Sequence, residues 1–264
     1  MKNRLYISIL AAFLPLVLPA QGTVNELETD FGARFSAGID KRIIQGLHVG
    51  LEEEIRLKDN FGTLGRAQTS LGISYKINKT FKVGAGYIFI DRQNSAGEWK
   101  MRHRFFADAT LSFRYGAWRL SLKERFQLTH REVGNSCQNN PNSLALKSRI
   151  KLSYKGYNNW TPYGYAEVRN VFNDPSCKAV WSTVSNAYSD YEFGGYDDAY
   201  VNRVRGCLGA EWKLNEKNSL DFYLLGDYCY DKNIDVNSSQ TRLKSLTWDQ
   251  AFKLNVGVGY TFSF

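Results

Sequence analysis

Apolar residues recur at every second position through long stretches of this chain, and the positions between them are polar and often charged. Ala67, Thr69, Leu71, Ile73 and Tyr75 form one such series, Phe81, Val83, Ala85, Tyr87 and Phe89 a second, and Phe105, Ala107, Ala109, Leu111 and Phe113 a third. Arg66, Gln68, Ser70, Lys82, Arg102, Arg104 and Asp108 stand between them. Successive strand side chains point to opposite faces, so each segment carries one oily and one polar surface. A soluble sandwich hides such oily faces between two sheets, whereas a membrane barrel turns them outward to lipid and keeps the polar faces inside.

Strand length and spacing favour the barrel. The pattern predicts eleven strands, over 29–40, 46–58, 63–77, 81–91, 98–115, 118–131, 143–155, 160–172, 200–214, 219–231 and 246–264. Most have the ten or so residues that a tilted membrane strand needs, against about five or six in soluble sheets. The connections at 78–80, 116–117, 156–159 and 215–219 are tight and polar, and those at 91–98, 132–143, 173–199 and 231–245 are longer. Short turns at one rim and long loops at the other are the asymmetry of an outer-membrane barrel. Bacterial single-chain barrels normally have an even strand number, which places part of a twelfth strand within Thr23–Asp30. The expected fold is all-β: a single antiparallel up-and-down transmembrane β-barrel of about twelve strands (ten to fourteen) over residues 21–264.

Aromatic residues sharpen the picture. Trp118, Trp160 and Trp212 flank short turns, and Trp99 and Trp248 lie near long-loop ends. Such rings favour membrane–water boundaries, and the five tryptophans are read as two aromatic girdles. The last strand alternates Phe252, Leu254, Val256, Val258, Tyr260, Phe262 and Phe264. It resembles the terminal signature that outer-membrane barrels present to their assembly machinery, so that machinery and outer-membrane lipid are the expected partners.

The N-terminus fits export. Lys2 and Arg4 precede an apolar run from Leu5 to Leu18 and the small-residue exit Pro19-Ala20. This is the plan of a secretory signal peptide over residues 1–20, cleaved after Ala20. Mean hydropathy is only −0.40, which does not argue against a barrel, because half of every strand is polar. The formal charge is +8, of which Lys2 and Arg4 supply two. A basic balance often marks a nucleic-acid partner; here the basic residues sit on strand faces of an exported chain, and none is expected.

The stretches LEEEIRLKDNF (51–61), SLGISYKINKTFKVGAGYIF (70–89), RHRFFADATLSF (102–113) and LGAEWKLNEKNSLDFY (208–223) resemble one family, an uncharacterised set of outer-membrane β-barrels of Gram-negative bacteria classed only as a domain of unknown function. The resemblance runs over nearly all of the mature chain and implies a fold and a bacterial outer-membrane location. It is a pattern of strands and transfers no functional residues.

Candidate chemistry lies on the inner faces, which are strongly basic. The lumen-lining candidates are Arg66, Lys82, Arg102, Arg104, Asp108, Lys123, Arg125, Arg149, Arg203 and Arg205. A two-residue turn at Gly116-Ala117 sets Asp108 opposite Arg125, and a five-residue turn at 215–219 sets Lys213 opposite Asp221. Two readings stay open: a pore of positive potential that favours anions, or a narrow lumen filled by its own paired side chains.

Other candidates are weaker. His103 and His130 face each other on the outward set, where two ligands alone make a poor metal site. His103, Glu124 and Ser148 share the outward phase, but Glu124 pairs with Ala109, roughly 20 Å along the strand from His103 at strand rise. A catalytic triad needs hydrogen-bond reach, so no catalytic residue is assigned, and no metal or cofactor. Glu53 breaks the outward pattern, and a local bulge is expected there. Cys137 and Cys177, both in long loops, are candidates for a disulfide in an oxidising compartment; Cys207 and Cys229 point inward on neighbouring strands. The leading functional expectation is a small-solute channel with a basic lumen or a structural membrane protein. The alternatives are a cell-surface receptor or adhesin acting through the 173–199 loop and, third, a lipid-modifying enzyme.

Overall fold

A computed structural model describes residues 23–264 except 95 and 135, with the backbone alone at 189 and 190. The leader expected over 1–20 lies outside the described residues. The elements are all strands: β1 (Thr23–Val24), β2 (Glu28–Ile44), β3 (Leu47–Lys58), β4 (Thr63–Lys76), β5 (Phe81–Gln93), β6 (Trp99–Tyr115), β7 (Trp118–Arg131), β8 (Asn142–Tyr154), β9 (Trp160–Ser182), β10 (Ala187–Lys213), β11 (Asn218–Val236) and β12 (Leu243–Ser263).

Each strand from β2 to β12 pairs antiparallel with its sequence neighbour, and β12 closes the circle against β2. The closing pair is parallel, with Ala251 opposite Glu28 and Ser263 opposite Asp40. Parity dictates this, because eleven hairpin-linked strands leave the first and the last running in the same direction. The twelve segments match the expected number, but the wall has eleven members. Thr23–Asp30 supplies no separate stave: β1 lies along β12 just ahead of β2, with Thr23 opposite Thr247. An all-antiparallel circle is corrected accordingly, and β2 starts at the rim that carries the longer connections.

The two faces are inverted relative to a water-soluble domain. Phe105, Leu71 and Leu208 on the outside are 54%, 51% and 70% exposed, while Arg34, Glu167 and Asp227 on the inside are 6%, 3% and 3% exposed. Among the described residues there is one sheet, closed on itself, and no second sheet covers the oily face, so the sandwich alternative falls. The tight turns form as their side chains direct. Asn78 Oδ1 accepts from Thr80 N and Phe81 N, both at 2.8 Å, and Asn215 Oδ1 accepts from Lys217 N and Asn218 N, both at 2.9 Å. A side chain that satisfies its own turn's backbone is what favours Asn at such positions.

Three sequence expectations need correction. The segment 173–199 is not a loop but the upper part of the β9–β10 hairpin, which pairs up to Ala187 opposite Ser182 through five register shifts. It stands above its neighbours, since β8 pairs with β9 only as far as Val171, so no oily face is required and the alternation that marks a wall strand is missing. Glu53 sits in unbroken register with Ala37 and Thr69; the irregularity lies instead at Arg56–Leu57, and Glu53 simply faces outward. Lys213 is opposite Ser219, and Asp221 is opposite Glu211, because Leu214 N donates to Asn218 O at 3.0 Å and pulls the ladder two residues further into the turn.

Candidate functional site

All ten predicted lumen residues line internal cavities, and they divide into two groups of five. Arg66, Arg102, Arg104, Arg203 and Arg205 line an upper chamber of about 350 Å³ towards the long-loop rim. Lys82, Asp108, Lys123, Arg125 and Arg149 line a lower one of about 390 Å³ towards the short turns. A middle chamber of about 330 Å³ lies between them. Arg56, Arg104, Lys147 and Arg205 border both the upper and middle spaces, and Arg125, Arg149 and Lys151 border both the middle and lower ones. The partitions are thus long cationic side chains, not backbone.

The lower and middle lumen is held by paired charges. Asp108 is opposite Arg125, as the turn length predicts. Arg125 donates to it twice, from Nε at 2.6 Å and from a terminal nitrogen at 2.7 Å, and Lys123 Nζ lies 2.8 Å away. Glu167 gathers Arg149 at 2.5 Å, Arg205 at 3.3 Å and Lys147 at 3.8 Å. Asp227 takes Arg34 at 2.8 Å and Arg205 at 2.5 Å. Two-point guanidinium–carboxylate contacts are the strong, geometrically specific form of ion pair.

Aromatic rings steady the same cations. Phe106 lies over Gly86 and carries the Arg125 guanidinium 4.0 Å above its ring. Tyr163 lies over Gly209, places Lys151 Nζ 3.6 Å above its ring and donates its hydroxyl to Asp221 at 2.9 Å. A Cβ at Gly86 or Gly209 would fall within 2.7 Å of these rings, so only glycine lets an inward ring lie flat on the facing strand. Arg149 stacks on Tyr165 at 4.2 Å. Cation–π contacts of this kind hold a charge without neutralising it.

The upper chamber is different. Eleven Arg or Lys side chains line it, against two carboxylates, Asp174 and Asp231. Asp174 pairs with Lys232 at 3.6 Å, and Asp231 accepts from Asn202 at 2.8 Å. The ladder sets like charges directly opposite one another: Arg56 and Arg66, Arg66 and Arg92, Arg102 and Arg131, Arg169 and Arg203. Among the described residues, Arg66, Arg92, Arg102, Arg104, Arg131, Arg169 and Arg203 form no ion pair. Among the described residues, Arg104 donates to Thr129 Oγ1 and Arg131 to the Asn140 carbonyl, neither of them an acid. The Nε atoms of Arg66, Arg102 and Arg203 are buried with no hydrogen-bond partner, as is that of Arg119 outside the chamber.

Sequence reading missed Arg34, Arg56, Arg92, Arg131 and Arg169. Arg34, Arg56 and Arg169 share the inward phase of Ser36, Glu54 and Glu167, so alternation alone was enough to find them. Arg92 and Arg131 stand at or beyond predicted strand ends, where the pattern fades.

The tryptophans fall at the rims in four cases of five. Trp160 stacks on Trp212 at 5.3 Å, and Trp118 packs on Tyr154 at 4.9 Å, all beside short turns. Trp99, near the opposite rim, is exposed. Trp248 is buried, stacked on Tyr230 at 4.6 Å and edge-on to Tyr200 at 5.0 Å. It belongs to the packing beneath the β9–β10 hairpin rather than to a girdle.

The remaining candidates are separated. His103 is opposite His130, but His103 Nδ1 meets Tyr87 Oη at 2.6 Å and His130 Nδ1 meets Asn142 Oδ1 at 2.9 Å. Ser148 Oγ donates to Glu124 at 2.6 Å, and Glu124 is opposite Ala109, so no histidine reaches the pair. The structure holds all four cysteines as free thiols. Instead of the expected cross-link, Cys137 Sγ lies 3.6 Å from Tyr191 Oη, and Cys177 is opposite Phe193. Cys207 is opposite Leu225 and Cys229 opposite Arg203, four residues apart along the ladder.

Residues 31–238 match the model of a family described as protein of unknown function (DUF2490). No curated protein matches the chain.

Proposed function

The chain belongs to this family of unknown function, and we propose that it works as an outer-membrane β-barrel that admits small anions through a basic lumen. The observation that carries the reading is the arginine-lined upper chamber, with eleven cationic side chains against two acids. A solute entering from the long-loop rim meets that positive potential first, and a ring of one sign of charge selects the opposite sign. Arg92, near the end of β5, is exposed, so solvent reaches the chamber. Passage beyond it requires Arg104, Lys147 and Arg205, and then Arg125, Arg149 and Lys151, to swing aside. The conduit is therefore narrow and of low conductance.

The outer surface supports the membrane part of the proposal. Its apolar side chains have hydrocarbon as their natural solvent, and the rim tryptophans sit at headgroup level. The β12 strand ending at Phe264 would be the segment offered to the barrel assembly machinery. Planar-bilayer recording of the purified protein tests the reading: small anion-selective steps are expected, and a membrane that stays silent or passes cations would refute it.

A further inference from the structure

We infer that the upper chamber is a binding site for a compact, soluble, phosphate-bearing anion with several negative charges. The inference rests on the proposed anion-admitting lumen and adds to it a ligand class and a place of residence.

Neutral polar residues would build the same wall. Ser70, Ser74, Ser112 and Ser121 hold inward positions lower in the same strands, so the fold does not require arginine there. Like charges directly opposite one another on a sheet are destabilising, yet Arg66 faces both Arg56 and Arg92, and Arg169 faces Arg203. Burying a guanidinium Nε without a partner adds a further cost, and Arg66, Arg102 and Arg203 each do so. A bound oxyanion removes both penalties together. It supplies the missing acceptors and places negative charge among the opposed cations.

Size and charge density identify the class. A chamber of about 350 Å³ is at the small end of ligand sites, so the ligand must carry its charge on few atoms. Each phosphoryl group brings roughly −1.5 to −2 charges and three strong acceptors, and the planar guanidinium fork matches it in two-point contacts. A phosphorylated lipid headgroup offers the same chemistry. The continuous hydrogen-bonded wall separates the chamber from the outer face, which favours a solute arriving through the rim.

The test uses the full mature chain folded in detergent, with folding scored by gel mobility before and after boiling. Calorimetric titration with sodium tripolyphosphate at low salt is expected to show saturable one-to-one binding, with citrate at least tenfold weaker. The triple variant R66Q/R102Q/R203Q should fold and lose at least tenfold in tripolyphosphate affinity. The double variant R114Q/R119Q removes another opposed like-charge pair, one outside the upper chamber's lining, and should bind as wild type does. Absence of binding, equal loss in both variants, or citrate binding as tightly as tripolyphosphate would overturn the inference. So would binding confined to mixed micelles containing phosphatidic acid. Anion-selective conductance that persists without saturable binding would remove this site while leaving the proposed function intact, whereas a silent or cation-selective bilayer would strike the function itself.

Discussion

Arg66 and Arg92 stand directly opposite each other across the β4–β5 ladder, both lining the upper chamber. Arg66 is also opposite Arg56 on its other side, so one guanidinium is flanked by two. Favourable cross-strand pairs contribute about 0.2–1 kcal/mol each, and opposed like charges act in the destabilising direction. Arg66→Gln is therefore expected to stabilise the ligand-free barrel by on the order of 1 kcal/mol at low ionic strength. The gain should shrink as salt screens the repulsion. Urea midpoints of the detergent-folded variant check it, and a marked loss of stability would show that Arg66 supports the fold.

Glu167 behaves oppositely. It is buried and holds Lys147, Arg149 and Arg205 together. Removing the acid from a buried ion pair typically costs about 3–5 kcal/mol, because the cations stay behind unpaired. Glu167→Gln is expected to lower stability by that order, measured by the same unfolding assay. Asp108→Asn should cost less, since Asp108 is itself less deeply buried than Glu167 and its loss leaves two cations unpaired, not three.

The parallel closure is open to a covalent test. Ala33 is opposite Val256 in the β2–β12 pair, within the Cα separation that a disulfide spans. The double variant A33C/V256C is expected to cross-link under oxidation, as read by peptide mass spectrometry. A33C/F252C should not, because Phe252 pairs with Thr29, four residues away. A barrel closed by an even, antiparallel arrangement would reverse or abolish that preference.

Much of this architecture is legible in the sequence, and the reasons are physical. Alternation is a direct record of a two-faced strand, so the wall segments, the inward set and the Asp108–Arg125 pair could be read off residue parity and a two-residue turn. Three things were not so recorded. The parity of the closed ring depends on whether Thr23–Asp30 forms its own stave, and that is a tertiary choice. The upper β9–β10 hairpin has no oily face to write a pattern. The Lys213–Asp221 register failed because backbone pairing at Leu214 and Asn218 tightens the turn, a detail that composition does not carry. The charge imbalance of the upper chamber was visible only as a basic lumen; its separation from the ion-paired middle needs the height of each residue along the barrel.

Thiol accessibility offers a further check. Cys207 and Cys229 are buried in the lumen wall, whereas Cys137 and Cys177 are only half-buried. Burial also pushes the Cys177 thiol above its usual range, which lowers the thiolate fraction that reacts. Maleimide labelling of the folded protein is expected to modify Cys137 first and Cys177 more slowly, leaving Cys207 and Cys229 untouched until unfolding. Rapid labelling of Cys207 would mean that the lumen wall is not packed as described.

The most direct measurement is the reversal potential of the purified barrel in a planar bilayer separating two potassium chloride concentrations. An upper chamber lined by unpaired arginines predicts small conductance steps whose reversal potential has the sign of chloride selectivity, weakened in R66Q/R102Q/R203Q. A reversal potential of the opposite sign, or no steps from protein whose gel mobility shows it folded, would contradict the account.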